Sequence, residues 1–147
     1  MNAMLDKAIT LAVRAHGGQL DKGGQPYILH VLRVMIACNP GEEQIVGVLH
    51  DVVEDTYVPK EVLQAYFGTD ITEAVLSVSR IEGETYKDFI RRVKKNRLGR
   101  AVKIRDIEDN LRPERMHALP VHEWEGMRRR YRLALDYLTG VTTDLDY

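Results

Sequence analysis

The chain has 147 residues, the usual size of one domain and enough to bury a hydrophobic core. Its 21 lysines and arginines nearly balance its 22 acidic residues, so no excess charge favours binding to nucleic acid or to a membrane surface. One cysteine excludes an internal disulfide, and neither a signal-peptide pattern nor the roughly 18 apolar residues of a membrane span is found, so we expect a cytoplasmic, single-domain protein.

Apolar residues recur every three or four positions along most of the chain, which is the pattern of amphipathic helices. Glycine and proline punctuate this pattern, and the longest interruption is a turn-rich loop over residues 19–26. No alternating apolar and polar run is long enough to predict a strand, so the fold class is all-α. Helices are predicted over 5–16, 28–37, 42–55, 59–67, 70–79, 85–95, 98–111 and 121–138.

Residues 50–55 carry four ionisable groups directly after one of the most apolar stretches of the chain. On one continuous helix, His50 would lie one turn before Glu54, and Asp51 one turn before Asp55. Buried charge is costly unless it is paired or bound to a metal. The pattern favours a cation site over its alternative, a helix end with solvent-facing acids and a core histidine.

A second polar cluster lies in the predicted helix over residues 98–111. On a helical wheel, Asp106 shares a half-buried edge with Lys103 and Asn110. Asp109 is nearly opposite the apolar stripe, so we expect it to face solvent. Taken alone, this segment is more typical of a solvated charged face than of a binding site.

His30 lies near the start of the predicted second helix, four residues after Pro26. Alone it would be interpreted as a core or surface histidine. With His50, Asp51 and Asp106, it makes a set of two imidazoles and two carboxylates. Such donors suit Mn²⁺, Fe²⁺ or Zn²⁺ with open coordination positions, and the lack of usable cysteines argues against a closed structural zinc site.

Three motifs occur in order: Pro-Tyr-Ile-x-His at 26–30, Leu-His-Asp-x-Val-Glu-Asp-Thr at 49–56 and Val-Lys-Ile-x-Asp-x-x-x-Asn at 102–110. Together they resemble the hydrolase domain of RelA/SpoT enzymes and their stand-alone small relatives in the HD superfamily. The resemblance implies one HD domain over residues 1–147. Its metal-binding core would span about 5–115, and a packing helix would follow at about 121–138.

The resemblance also implies a mechanism in which one divalent ion, usually Mn²⁺, activates water against a nucleotide phosphate. Such an ion lowers the pKa of bound water and neutralises charge on a phosphoryl oxygen, while a nearby carboxylate takes the proton. The expected site comprises the metal ligands His30, His50, Asp51 and Asp106, the catalytic acids Glu54 and Asp55, and the substrate-binding residues Lys22, Lys103 and Asn110.

The chain departs from the alarmone-hydrolase pattern at two positions. Asp21 precedes Lys22 where the family typically has an arginine that contributes to the guanine pocket, and Pro113 follows Arg112 where a threonine is usual. Both departures fall where the base or ribose would be recognised. We therefore expect Asp21→Arg to improve activity toward a guanosine substrate, and we expect the wild type to discriminate weakly between guanine and adenine.

The leading function is removal of the 3′-pyrophosphate from guanosine-3′,5′-bis(diphosphate) or its pentaphosphate analogue. Within the enzyme class, the alternatives are a 5′-nucleotidase-like activity and removal of the 2′-phosphate from NADPH. From another class, the alternative is a catalytically silent module that senses nucleotides or binds a partner. The complete set of ligands and acids favours an enzyme over such a module.

Overall fold

A computed structural model describes residues 3–145, and the prediction of an all-α fold is confirmed. Within that range no β-strand is present, and the loop after the first helix has one isolated antiparallel bridge between Leu20 and Pro26. The helices are α1 (Ala3–Ala15), α2 (Tyr27–Ala37), α3 (Glu42–Leu49), α4 (Val52–Asp55), α5 (Lys60–Phe67), α6 (Thr69–Ser77), α7 (Tyr86–Lys94), α8 (Arg97–Asn110), α9 (Pro113–Met116) and α10 (Val121–Leu138).

Local capping signals set several helix boundaries. The Thr85 hydroxyl accepts a hydrogen bond from Asp88 N at 3.1 Å and begins α7, and the Asn96 side chain accepts from Gly99 N at 2.9 Å and begins α8. Gly68 has φ 83°, which lets the chain turn sharply between α5 and α6. These signals explain why most of the predicted boundaries lie within a few residues of those observed.

The predicted continuous helix over residues 42–55 is wrong, because the chain breaks at His50 and Asp51. Helix α3 ends at Leu49, Asp51 has φ −106° and ψ 0°, and α4 then runs for one turn. Asp55 N still donates to Asp51 O at 2.9 Å, so the predicted helical turn between Asp51 and Asp55 is present after the break. Tertiary contacts of the two side chains override the helical tendency of the apolar sequence around them.

Helix α8 is the central element of the fold. It contacts α2, α3, α6, α7 and α10, and it takes part in both hydrophobic clusters of the core. Its approach to α6 is so close that a Cβ at Gly99 would lie 2.0 Å from Ser77 Oγ. A helix surrounded in this way has little solvent-facing surface, so its polar side chains must find partners inside the protein.

The two clusters divide the core along the chain. The first packs α1, α2, α3, α5 and α6 against the start of α8, and the second packs α7 and α10 against its later turns. Within residues 3–145, no helix combines the length and apolar content needed to cross a bilayer. The candidate site lies where α2, the α3–α4 break and α8 meet.

Candidate active site

Four predicted ligands converge from three elements of the fold. His30 comes from α2, His50 and Asp51 from the α3–α4 break, and Asp106 from α8, and all four are buried. His30 Nε2 lies 3.0 Å and His50 Nε2 lies 3.4 Å from Asp106 Oδ1. His50 Nε2 is also 3.0 Å from Asp51 Oδ2. Donor atoms of His30, His50 and Asp106 all lie within 4.8 Å of one another, so one small cation could contact these three, and Asp51 lies next to them at His50.

Hydrogen bonds behind the two histidines orient their rings toward this cluster. His50 Nδ1 donates to Gly47 O at 2.6 Å, and His30 Nδ1 donates to Asp109 Oδ2 at 2.6 Å. In a neutral imidazole, a proton on Nδ1 leaves the lone pair on Nε2, the atom that faces the carboxylates. His50 Nε2 is buried and makes no hydrogen bond with the described residues, although it lies at ion-pair distance from Asp51 and Asp106, as expected of a metal donor.

The electrostatics of the cluster favour a positive charge at its centre. Burial alone would lower the pKa of His50, but the negative charges of Asp51 and Asp106 outweigh burial and raise it. Burial alone would raise the pKa of Asp106, yet Lys103 and the two histidines hold it well below its usual range. A divalent ion with neutral histidines would satisfy the same carboxylates, so the donor set fits a metal.

Asp109 lies directly behind this cluster, and the expectation that it faces solvent is wrong. Its Oδ1 accepts from Arg33 Nε at 2.7 Å, and its Oδ2 accepts from His30 Nδ1 and from Arg115 Nη1, the latter at 3.2 Å. Burial would raise the pKa of Asp109, but the hydrogen bonds and charges of His30 and Arg33 lower it. The helical-wheel prediction was wrong because other helices enclose α8 on several sides, so even the face opposite its apolar stripe is covered.

Tyr27 supports the cluster from the start of α2. Its hydroxyl donates a short hydrogen bond to Asp51 Oδ2, and its ring lies between His16 and His30 with centroid distances of 5.4 Å to each. Burial and the neighbouring charge of Asp51 raise the pKa of Tyr27, which keeps the hydroxyl protonated as a donor. Tyr27 is in the first motif, but its role follows only from the structure.

The two acids of α4 have different surroundings. Glu54 Oε1 accepts from the backbone N of Arg80 at 2.6 Å, whereas Asp55 lines a cavity beside the cluster. Burial and the charge of Asp51 raise the pKa of Asp55 to about 6. A carboxylate with its pKa near neutrality can accept a proton and release it again, which suits a general base.

The cavity next to the cluster has a volume of about 560 Å³. Of the predicted substrate-binding residues, Lys22 and Asn110 line it. Lys103 instead places its Nζ 2.7 Å from Asp106 Oδ2, where it compensates a ligand charge. The cavity is lined by Gln19, Leu20, Asp21, Lys22, Gly23, Tyr27, Asp55, Asn110, Arg115, Met116, Leu119, Met127 and Tyr131.

Asp21, the departure in the loop, has a structural role. Its Oδ1 accepts from the backbone N of Gly23 and of Gln25, both at 2.9 Å. Its Oδ2 lies 3.8 Å from Arg115 Nε, across the cavity wall. An aspartate that bonds amides two and four residues later is typical of a tight turn, so the loop sequence already contained this signal.

Gln19 is a residue that the sequence analysis missed. Its Nε2 donates to Asp55 O at 2.8 Å, and its Oε1 lies 2.9 Å from His16 Nδ1. The loop that lines the cavity is thereby tied to the acid pair of α4. No helical periodicity predicts such a link, because it joins residues that are 36 positions apart.

Comparison with protein families agrees with the arrangement of ligands. The sequence model described as HD domain matches residues 8–108, which is more than half of the chain and includes all four predicted metal ligands. The chain belongs to the HD domain family.

Curated relatives in this family carry alarmone-related names. The probable guanosine-3′,5′-bis(diphosphate) 3′-pyrophosphohydrolase of Mycoplasma pneumoniae is 35% identical over 89 residues, which cover 58% of this chain and 12% of the relative. The Vibrio cholerae protein named guanosine-3′,5′-bis(diphosphate) 3′-pyrophosphohydrolase is 36% identical over 88 residues, covering 57% and 12%. The chain thus spans about an eighth of the length of these curated relatives.

Among solved structures, one is that of a metazoan ortholog of SpoT, described as hydrolysing ppGpp and acting in starvation responses. It superimposes on this HD protein with a TM-score of 0.80 and covers 97% of this chain and 89% of its own. The sequence identity is 22%, so the likeness is one of fold. It extends over nearly the whole chain, including α10, which lies beyond the family match.

Proposed function

We propose that this protein is a metal-dependent phosphohydrolase that removes the 3′-pyrophosphate from guanosine-3′,5′-bis(diphosphate) or its pentaphosphate analogue in the cytoplasm. The observation that supports it best is the convergence of His30, His50 and Asp106, with Asp51 next to His50, beside a cavity that Asp55 lines. The names of the matched relatives point to the same substrate.

His30, His50, Asp51 and Asp106 would hold one divalent ion, which we propose to be Mn²⁺. When bound, the ion supplies a water of lowered pKa and positive charge for a phosphoryl oxygen. Asp55 takes the proton of the attacking water, whose oxygen bonds to the phosphorus attached to the ribose 3′ oxygen. The bond between that phosphorus and the 3′ oxygen breaks, and the 3′ oxygen gains a proton to become a hydroxyl. The products are pyrophosphate and guanosine 5′-diphosphate, or the 5′-triphosphate from the pentaphosphate.

The remaining residues of the proposed site hold parts of this arrangement in place. Glu54 is fixed by the backbone N of Arg80 and stands next to Asp55. Lys22 and Asn110 contact the nucleotide from the cavity wall, and Lys103 keeps Asp106 ionised. We propose that residues 1–147 act as one domain, with the metal-binding core at about 5–115 and α10 closing the cavity.

A second group of substrates has a specific observation in its favour. Met116, Leu119 and Met127 are apolar residues of the cavity wall, and apolar contacts alone do not separate guanine from adenine. Hydrolysis of another nucleotide, such as the 2′-phosphate of NADPH or a 5′-monophosphate, is the alternative that follows. A silent sensing module would not need a general base with a raised pKa.

A hydrolysis screen tests the proposal. The purified chain, supplied with Mn²⁺, is incubated with alarmones, with nucleoside mono-, di- and triphosphates and with NADPH, and products are identified by mass spectrometry. We expect guanosine 5′-diphosphate and pyrophosphate from the tetraphosphate, and no product with Asp106→Ala. If NADPH is the only compound hydrolysed, the alternative function is supported and the proposed one is contradicted. If metal-loaded protein hydrolyses none of the compounds, both are contradicted.

A further inference from the structure

Arg115 is a cavity-lining residue that neither the motifs nor the proposed mechanism uses. It comes from the one-turn helix α9, and its side chain is 17% exposed. Among the residues that line the cavity, only Lys22 and Arg115 are basic. Lys22 is exposed and lies in the loop, whereas Arg115 is mostly buried.

Three side chains from two other segments fix the Arg115 guanidinium. Nη1 donates to Asn110 Oδ1 at 2.6 Å and to Asp109 Oδ2 at 3.2 Å, and Nε lies 3.8 Å from Asp21 Oδ2. A planar guanidinium held on two edges keeps its orientation when a ligand arrives, so little entropy is lost on binding. The unusual aspartate of the loop is one of the groups that hold it.

Arg115 also lies next to the candidate metal centre. Nη1 is 2.6 Å from His30 Nδ1 and 3.2 Å from Asp109 Oδ2, the oxygen that His30 Nδ1 also contacts at 2.6 Å. The guanidinium is therefore one imidazole ring away from the Nε2 atom that faces the other ligands. A phosphate group bound at the metal centre would have Arg115 as a near neighbour.

Asp109 and Asp21 do not cancel this charge completely. Asp109 is also bonded by Arg33 Nε at 2.7 Å and approached by Arg112 Nη1 at 3.8 Å, and Asp21 Oδ1 is engaged with loop amides. Both carboxylates thus have other donors to satisfy. Lys103, another basic residue near the candidate metal centre, is paired with Asp106 and is not among the residues lining the cavity.

We propose that Arg115 binds the diphosphate group of the substrate, and that Asp21 and Asp109 are positioning residues that orient its guanidinium. The inference rests on the proposed function and adds a phosphate-binding residue to it. The hydrogen bonds of Arg115 to the described residues all use Nη1, so the parallel N–H groups of Nε and Nη2 can contact two phosphate oxygens. The Asp21 departure then reflects a need to position Arg115 from the opposite wall.

The test combines kinetics with binding of inorganic pyrophosphate to the Mn²⁺-loaded chain, measured by calorimetry. Arg115→Gln should raise KM for the guanosine tetraphosphate and the Kd for pyrophosphate by about 10- to 100-fold, the scale of one to two charged hydrogen bonds. The value of kcat should change less than KM. Arg115→Lys keeps the charge but lacks the planar pair of N–H donors, so it should recover part of the loss in affinity.

Arg112→Gln is the matched control, because Arg112 also approaches Asp109 but is not among the residues lining the cavity. Its KM and pyrophosphate Kd should equal those of the wild type, and the metal content and Tm of every variant are measured alongside. Equal losses in Arg112→Gln and Arg115→Gln would overturn the inference, since weakened support of Asp109 would then explain both.

The outcome for Arg115 is separable from the outcome for the proposed function. If the wild type does not hydrolyse the tetraphosphate, the proposed function fails, while a pyrophosphate Kd weakened in Arg115→Gln still supports the binding role. An unchanged Kd in Arg115→Gln, or wild type that binds no pyrophosphate, overturns the inference even if hydrolysis is observed. If Arg115→Gln has a strongly lowered Tm, Arg115→Met decides, because it removes the charge and keeps the length of the side chain, and a wild-type pyrophosphate Kd in that variant likewise overturns the inference.

Discussion

The candidate metal centre and the cavity beside it are built in different ways. The candidate ligands of the centre are buried, and the second nitrogens of the histidines and the second oxygen of Asp106 are held by the backbone or by the neighbouring side chains Asp109 and Lys103. The cavity wall includes a loop, the short helix α9 and one side of α10, and Arg115 joins two of its polar residues, Asn110 and Asp21. One region is determined by helix packing and the other by contacts between irregular segments.

This difference suggests that the metal centre determines the chemistry of the protein and that the cavity wall determines its specificity. A centre inside packed helices has little freedom to change without loss of the fold, because an unpaired buried charge is costly. A wall made from a loop and a one-turn helix depends on fewer packed neighbours, and the contact between Asp21 and Arg115 joins two such segments. We therefore expect substitutions in the centre to abolish function and substitutions in the wall to tune it.

The largest effect should come from removing a ligand. The wild type should bind about one transition ion per chain, and Asp51→Ala or Asp106→Ala should lose both the metal and all metal-dependent turnover. Metal content by elemental analysis and hydrolysis rates check this, with Asp106→Asn to limit the volume change and Glu108→Ala, an exposed acid on the same helix, as control. Full metal occupancy in Asp106→Ala would remove Asp106 from the ligand set.

The next effect concerns the proposed base. Asp55→Asn should keep the metal but lower kcat by roughly 10²–10⁴-fold, the usual contribution of general-base catalysis. Glu54→Gln should cost less, because Gln retains an oxygen that can accept from Arg80 N. Steady-state rates of both variants at saturating Mn²⁺ provide the comparison. A larger loss in Glu54→Gln would reverse the roles of the two acids, and wild-type rates in both would make them structural.

A smaller effect is expected from Asp109, which lies behind the candidate metal centre. Asp109→Asn removes the charge that accepts from His30 Nδ1, so metal affinity should fall by about 10- to 100-fold, as for other groups that orient a metal ligand. Competition with a metal-binding dye measures the affinity, and Glu114→Gln, an exposed acid nearby, is the control. An unchanged affinity would show that the backbone and packing alone orient His30.

The smallest effect should come from the cavity wall at Asp21. The sequence alone predicts a gain for Asp21→Arg, but the structure predicts a loss, because two loop amides lose their acceptor at about 1 kcal/mol each. Asp21→Asn keeps an acceptor oxygen for those amides and removes only the charge near Arg115. We expect a modest rise in KM for Asp21→Asn and a larger one, with a lower Tm, for Asp21→Arg. A higher kcat/KM of Asp21→Arg toward the guanosine substrate would contradict the structural prediction and support the one made from sequence.

The sequence alone predicted the all-α class, most helix boundaries and the candidate ligand set. It could do so because helices are local: periodicity, caps and glycine stops act over a few residues, as at Thr85 and Asn96. The spacing of His50 and Asp51 after an apolar run was equally local information. Their convergence with His30 and Asp106 was inferred from resemblance, since no local rule brings residues 30 and 106 together.

Only the tertiary structure decided the break after Leu49, the burial of Asp109 and the roles of Gln19, Asp21 and Arg115. Each of these depends on partners far along the chain: Asp109 bonds His30 79 positions away, and Gln19 bonds Asp55 O 36 positions away. A helical wheel assumes one buried face, and α8 is enclosed by five other helices. Where polar side chains satisfy one another across irregular segments, their geometry follows from packing, which no periodicity in the sequence encodes.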